Sequence, residues 1–81
     1  MSNEELRREA HELDVTVWVG KGGIDAVVDE LNDQLQGNQM VKVKFLRAAR
    51  GGTSTEELAE ELEALVNAEL FDVRGNTAVY N

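Results

Sequence analysis

Across four residues, Gly20-Lys21-Gly22-Gly23, the apolar pattern of this chain changes from extended to helical. Before them, Val15-Thr16-Val17-Trp18-Val19 is β-branched and aromatic, the composition of a buried strand. After them, Ile24, Val27, Val28, Leu31 and Leu35 recur at i, i+3, i+4, i+7 and i+11, one face of a helix. Glycines here let the backbone bend sharply and let an oxyanion approach bare N–H groups. A helix beginning at residue 24 aims its positive end at the same spot, and Lys21 adds a mobile cation. The stretch is an anion site in outline, with phosphate the best-suited anion. Taken alone, the same glycines could serve turn geometry only. Two better-known phosphate loops are excluded. Lys21 follows the first glycine with no Ser or Thr after it, and Asp25 stands where G-x-G-x-x-G needs its last glycine.

The remaining elements follow from spacing and punctuation. Ser2 with Glu5 forms a capping box ahead of Leu6, Ala10 and Leu13, which predicts a helix over residues 3–13, ended by Asp14. Strand one covers 15–19. Helix two covers 24–36, with Gly37 as a left-handed stop. Over 40–46, Val41, Val43 and Phe45 alternate with Lys42 and Lys44, a half-exposed strand with a basic outer face. Residues 47–53 read as a flexible loop. Ser54 and Glu57 make a second capping box before a stripe of Leu58, Leu62, Leu65 and Val66. Strands over 70–73 and 77–80 are joined through Arg74-Gly75-Asn76 as a tight hairpin. The order α-β-α-β-α-β-β predicts an α/β fold, a four-stranded mixed sheet packed by helices. Strands one to three are expected to be parallel where adjacent, and the final hairpin antiparallel.

Eighty-one residues suit one domain spanning 1–81, and 42% apolar content, ordinary for a globular chain, argues against disorder. No cysteine is present, so neither a disulfide staple nor a thiolate metal site is available. The acidic start and short apolar runs lead us to expect a cytoplasmic protein without a membrane span. Sixteen acids against eight bases give −8, the wrong sign for a generic nucleic-acid binder. Position qualifies the total. The acids lie mostly on polar helix faces, whereas Lys21, Lys42, Lys44, Arg47 and Arg50 fall in or beside loops and one strand. A basic surface on an acidic body is expected. Such an acidic, lysine-poor shell also points to a salt-loving host, because at molar salt the Debye length is only about 3 Å.

Three segments then line up in order: Val19-Gly20-Lys21-Gly22-Gly23-Ile24, Met40-Val41-Lys42-Val43-Lys44, and Val73-Arg74-Gly75-Asn76-Thr77 with Val79-Tyr80. Together they resemble the CRM-domain family (chloroplast RNA splicing and ribosome maturation), specifically its stand-alone YhbY-like members. The resemblance runs from about Leu6 to Tyr80. It implies an RNA-binding fold similar to the C-terminal domain of translation initiation factor three. It also implies a GxxG loop like the one with which KH domains clamp RNA, and association with precursors of the large ribosomal subunit. Gly20, Lys21, Gly22 and Gly23 match that loop, Lys42 and Lys44 the basic strand, and Arg74 with Gly75 the last turn. The chain differs from the family pattern in ending on Asn81 rather than a basic residue, and in its acidity.

The expected RNA contacts are therefore Gly20, Lys21, Gly22, Gly23, Lys42, Lys44, Arg47, Arg50 and Arg74. Alone, Lys42 and Lys44 would read as charge that keeps a strand soluble. Arg47 and Arg50 can pair bidentately with phosphate, stack on a base, or simply be solvated. Arg74 is equally a plain hairpin residue. Trp18 reads as core rather than as a stacking platform, and Tyr80 as a weak stacking candidate. His11 reads as solvated, and Glu56, Glu57, Glu60 and Glu61 as a helix's wet face. No nucleophile, metal cluster or triad emerges, so the expectation is a monomeric, non-enzymatic protein that binds ribosomal RNA or its precursor, without cofactor or small-molecule substrate. The alternative is an acidic adaptor for a basic ribosomal or RNA-processing protein.

Overall fold

The computed structural model describes residues 3–81. Helix α1 (Asn3–Glu12) precedes strand β1 (Val15–Val19), a 3-10 turn (Ile24–Val27) and helix α2 (Val28–Gly37). Strand β2 (Val41–Phe45), a second 3-10 turn (Arg47–Ala49), helix α3 (Thr55–Leu65) and the hairpin β3 (Leu70–Arg74) and β4 (Thr77–Tyr80) follow. Ser2, half of the first expected capping box, lies outside the described residues.

The four strands form one mixed sheet in the order β1-β2-β4-β3. β1 and β2 are parallel, and β4 is antiparallel to both β2 and β3. The α/β expectation holds, and β4 enters between β2 and β3, so those two are never neighbours. Alternation sorts the side chains. Val17, Val19, Val43, Phe45, Ala78 and Tyr80 face inward onto Leu31, Leu58, Ala59 and Leu62, in one buried cluster. Burying each large apolar side chain contributes about 1.5–3 kcal/mol. The opposite face carries a small second cluster, Ala10 of α1 on Met40 and Val79, with Leu13 and Phe71 beside it. α1 thus covers only part of the outer face.

Several expectations are corrected. Trp18 is not core. The alternation of β1 places it with exposed Thr16, opposite buried Val17 and Val19, and it is 54% exposed. Tyr80 is no stacking candidate: it is fully buried, and its hydroxyl donates to the Ala59 carbonyl at 2.7 Å. Burial, with a smaller contribution from the Glu63 carboxylate, pushes the phenol well above its ordinary pKa of 10.0. Gly37 is not left-handed; Asn38 ends α2 in extended backbone, and its Nδ2 donates to the Gln34 carbonyl at 2.8 Å. That bond satisfies a terminal carbonyl without a glycine stop.

Helix two does not begin at residue 24 as α-helix, because a 3-10 turn occupies its first four positions. Leu65 is 46% exposed. At about 100° per residue the buried face of α3 centres on Thr55, Ala59 and Leu62, leaving Leu65 past its rim. The capping box of α3 is half realised. Ser54 Oγ accepts the Glu57 N–H at 3.2 Å, while the Glu57 carboxylate takes the Thr53 hydroxyl at 2.8 Å.

Candidate nucleic-acid interface

Parallel strands end together, and an antiparallel neighbour starts where they end. The carboxyl ends of β1 and β2 and the amino end of β4 therefore share one edge of the molecule, and three connections meet there. Leu46 N–H donates to the Val19 carbonyl at 2.8 Å, bringing residues 46–53 beside residues 20–23. Phe45 N–H donates to the Asn76 carbonyl at 2.8 Å, bringing the hairpin tip to the same place. Lys21 on the first connection and Arg47 on the second are both exposed at this edge. In open α/β sheets, ligand sites gather outside the carboxyl ends of strands.

The glycines of residues 20–23 have separate local reasons. Gly23 N–H donates to the Gly20 carbonyl at 3.0 Å and closes a turn. Gly23 adopts φ 77° and ψ −178°, a region that essentially only glycine occupies. A Cβ on Gly22 would lie 3.3 Å from the Ala26 Cβ, and one on Gly20 would lie 3.8 Å from Leu46 Cδ1. The bare cradle expected from sequence is therefore smaller. The Gly23 amide is committed to the turn, and the α2 dipole begins at Val28, a turn beyond the loop. Exposed Asp25 also stands on the 3-10 turn. The loop offers an anion the Lys21 ammonium beside its remaining amides.

Lys44 and Arg74 belong to a row across the outer face. Trp18 pairs with Lys44, Lys44 with Thr77, and Thr77 with Arg74. Neighbouring strands lie about 4.8 Å apart, so the Lys44 and Arg74 backbones are separated by about 10 Å. Among the described residues, none of Lys21, Lys44 and Arg47 has its side chain in a hydrogen bond or ion pair.

The other expected contacts are differently placed. Lys42 lies one row back, where its ammonium donates to the His11 carbonyl at 3.5 Å, at the C-terminal turn of α1. That is the negative end of the helix, which favours a cation there. Arg50 is half-buried, and its Nε donates to the Phe45 carbonyl at 3.0 Å. This bond, with Ala49 N–H to Leu46 and Thr53 N–H to Arg50, orders a segment expected to be loose. The hairpin turns on Gly75 at φ 58°, with the Thr77 hydroxyl donating to the Arg74 carbonyl at 2.9 Å.

Sequence reasoning missed two surface features. Arg7 and Arg8 line an open groove of about 910 Å³ with Arg74, His11, Glu4, Glu12 and Asp72. No spacing links α1 to β3, so only tertiary structure could find this convergence. Trp18 is the second. Its shared parity with Thr16 was readable, but the apolar composition of the strand outweighed it. Among the described residues, no group of three His, Asp or Glu could hold a metal ion, and no helix is long and apolar enough to cross a membrane.

With this geometry in view, the chain matches the CRS1/YhbY (CRM) domain over residues 2–80, and it belongs to that family. It is 39% identical over 71 residues to a protein of Methanocaldococcus jannaschii named as a probable RNA-binding protein. That match covers 88% of this chain and 53% of the relative, so the chain spans about half of the curated relative's length. The fold is also that of a Staphylococcus aureus protein proposed to bind RNA, with a TM-score of 0.76 and 30% identity over 96% of this chain and 80% of that one.

Proposed function

We propose that this domain binds RNA without acting on it chemically, gripping backbone phosphate along the edge where β1, β2 and the hairpin meet. The observation that carries this reading is the convergence of Lys21, Arg47 and Lys44, with Arg74 along the same row, on a chain of net charge −8. Family membership and two relatives described as RNA-binding support it. Lys21 and Arg47 sit beside the GxxG turn as mobile phosphate contacts, and Lys44 and Arg74 continue the track. Lys42 and Arg50 hold the platform in shape. The ligand that the family implies is ribosomal RNA or a precursor of the large subunit. The acidic surface suits binding in a concentrated-salt cytoplasm, where repulsion between protein and RNA is screened beyond about 3 Å. We further take residues 1–81 as one monomeric binding unit.

The test is binding to large-subunit precursor particles by wild type, Lys21→Ala and Lys44→Ala. Each substitution should lower affinity and reduce the slope of log affinity against log salt by about one. Unchanged affinity in both removes the edge from consideration. One observation favours a second reading: Glu56, Glu57, Glu60 and Glu61 are all exposed on α3, which packs on the opposite face of the sheet. An adaptor using that acidic face would keep its partner after ribonuclease treatment, whereas an RNA-bound domain would be released.

A further inference from the structure

Trp18 is the chain's single tryptophan, and it is 54% exposed on the outer face of β1. It stands at the end of the cross-strand row whose other members include the exposed cations Lys44 and Arg74. α1 borders the Arg74 and Thr77 end of this row through His11 and leaves the Trp18 and Lys44 end open, with its buried contacts further back on Met40 and Val79. The occupant of the face follows from charge and shape. A flat apolar ring with one cation on the neighbouring strand and a second two strands further along the row is complementary to a partner with a flat π-face joined to a phosphate backbone. A second copy would bring another net charge of −8 towards this one, and an apolar peptide would leave both cations unanswered.

We propose that Trp18 is a stacking platform for an unpaired nucleotide whose flanking phosphates are held by Lys44 and Arg74. The preferred ligand of this face is then RNA carrying an unstacked base beside a helical stem, rather than a blunt duplex, whose bases are hidden from an aromatic ring. This rests on the RNA-binding reading above and narrows it to a class of RNA.

Because no other tryptophan contributes, emission from the unmodified protein reports this position alone. Fluorescence anisotropy of labelled RNA and tryptophan emission are followed together for three probes: a blunt duplex, the same duplex with one unpaired adenosine, and one of its strands alone. The bulged and single-stranded probes should bind about tenfold more tightly than the blunt duplex and quench the emission. Trp18→Ala should erase that preference, and Trp18→Phe should keep most of it. Equal binding of all three probes with unmoved emission overturns the stacking role and leaves backbone binding intact. Absence of binding to every probe overturns the RNA reading and the stacking role together. Trp18-dependent dimerisation without RNA in analytical ultracentrifugation assigns the face to self-association and overturns the proposal. Should Trp18→Ala misfold by circular dichroism, quenching in wild type and the Trp18→Phe preference still decide.

Discussion

Gly23 and Lys21 are two residues apart yet answer to different demands, and substitution separates them. Gly23→Ala places a Cβ at φ 77° and ψ −178° and should cost about 1–3 kcal/mol in urea denaturation. Lys21→Ala touches nothing in the fold and should change stability by less than about 0.5 kcal/mol while weakening RNA binding. Tyr80 offers a third test. Losing its hydroxyl bond to Ala59 in Tyr80→Phe should cost about 1 kcal/mol. Its folded pKa lies above the unfolded value of 10.0, so its contribution is complete below about pH 10 and declines as pH rises further. Denaturation midpoints should therefore fall more steeply above pH 10 in wild type than in Tyr80→Phe. At this scale the positions of Lys21 and Lys44 could be read from spacing. The hydrogen bonds of Lys42 and Arg50 could not, because their partners, the carbonyls of His11 and Phe45, are backbone atoms without a sequence signature.

Among the elements, α3 was the most legible, since Ser54, Glu57 and the Leu58–Leu62 spacing act within one or two turns. Ser54→Ala removes its cap and should cost about 1 kcal/mol, read as a lowered thermal midpoint with the sheet otherwise intact. All four strands were also placed within a residue or two, because period-2 alternation is local. The failures came where two local preferences competed. The composition of Val15-Thr16-Val17-Trp18-Val19 spoke for burial on both faces, but β1 is an edge strand whose outer side α1 leaves bare. Gly37 offered a left-handed stop, and Asn38 supplied a side-chain bond that made it unnecessary. The start of helix two followed its apolar stripe, which does not distinguish a 3-10 turn from an α-helical one over four residues.

For the molecule as a whole, charge and topology set the behaviour. With net charge −8, the fold should gain stability between dilute buffer and molar KCl as self-repulsion is screened, measured by thermal denaturation. No gain would remove the salt-adapted reading. Sheet order was the least legible property, since nothing in residues 70–80 says that β4 rather than β3 will meet β2. That insertion bears on the order of assembly. The strand latest in sequence is an interior strand of the sheet, so β3 has no neighbour until residues 77–80 emerge from synthesis. The same segment delivers Asn76 to Phe45 and lines up Arg74 with Lys44. A copy whose residues 77–80 have yet to emerge cannot align Arg74 with Lys44, and so presents only part of the track that a finished copy is proposed to offer RNA.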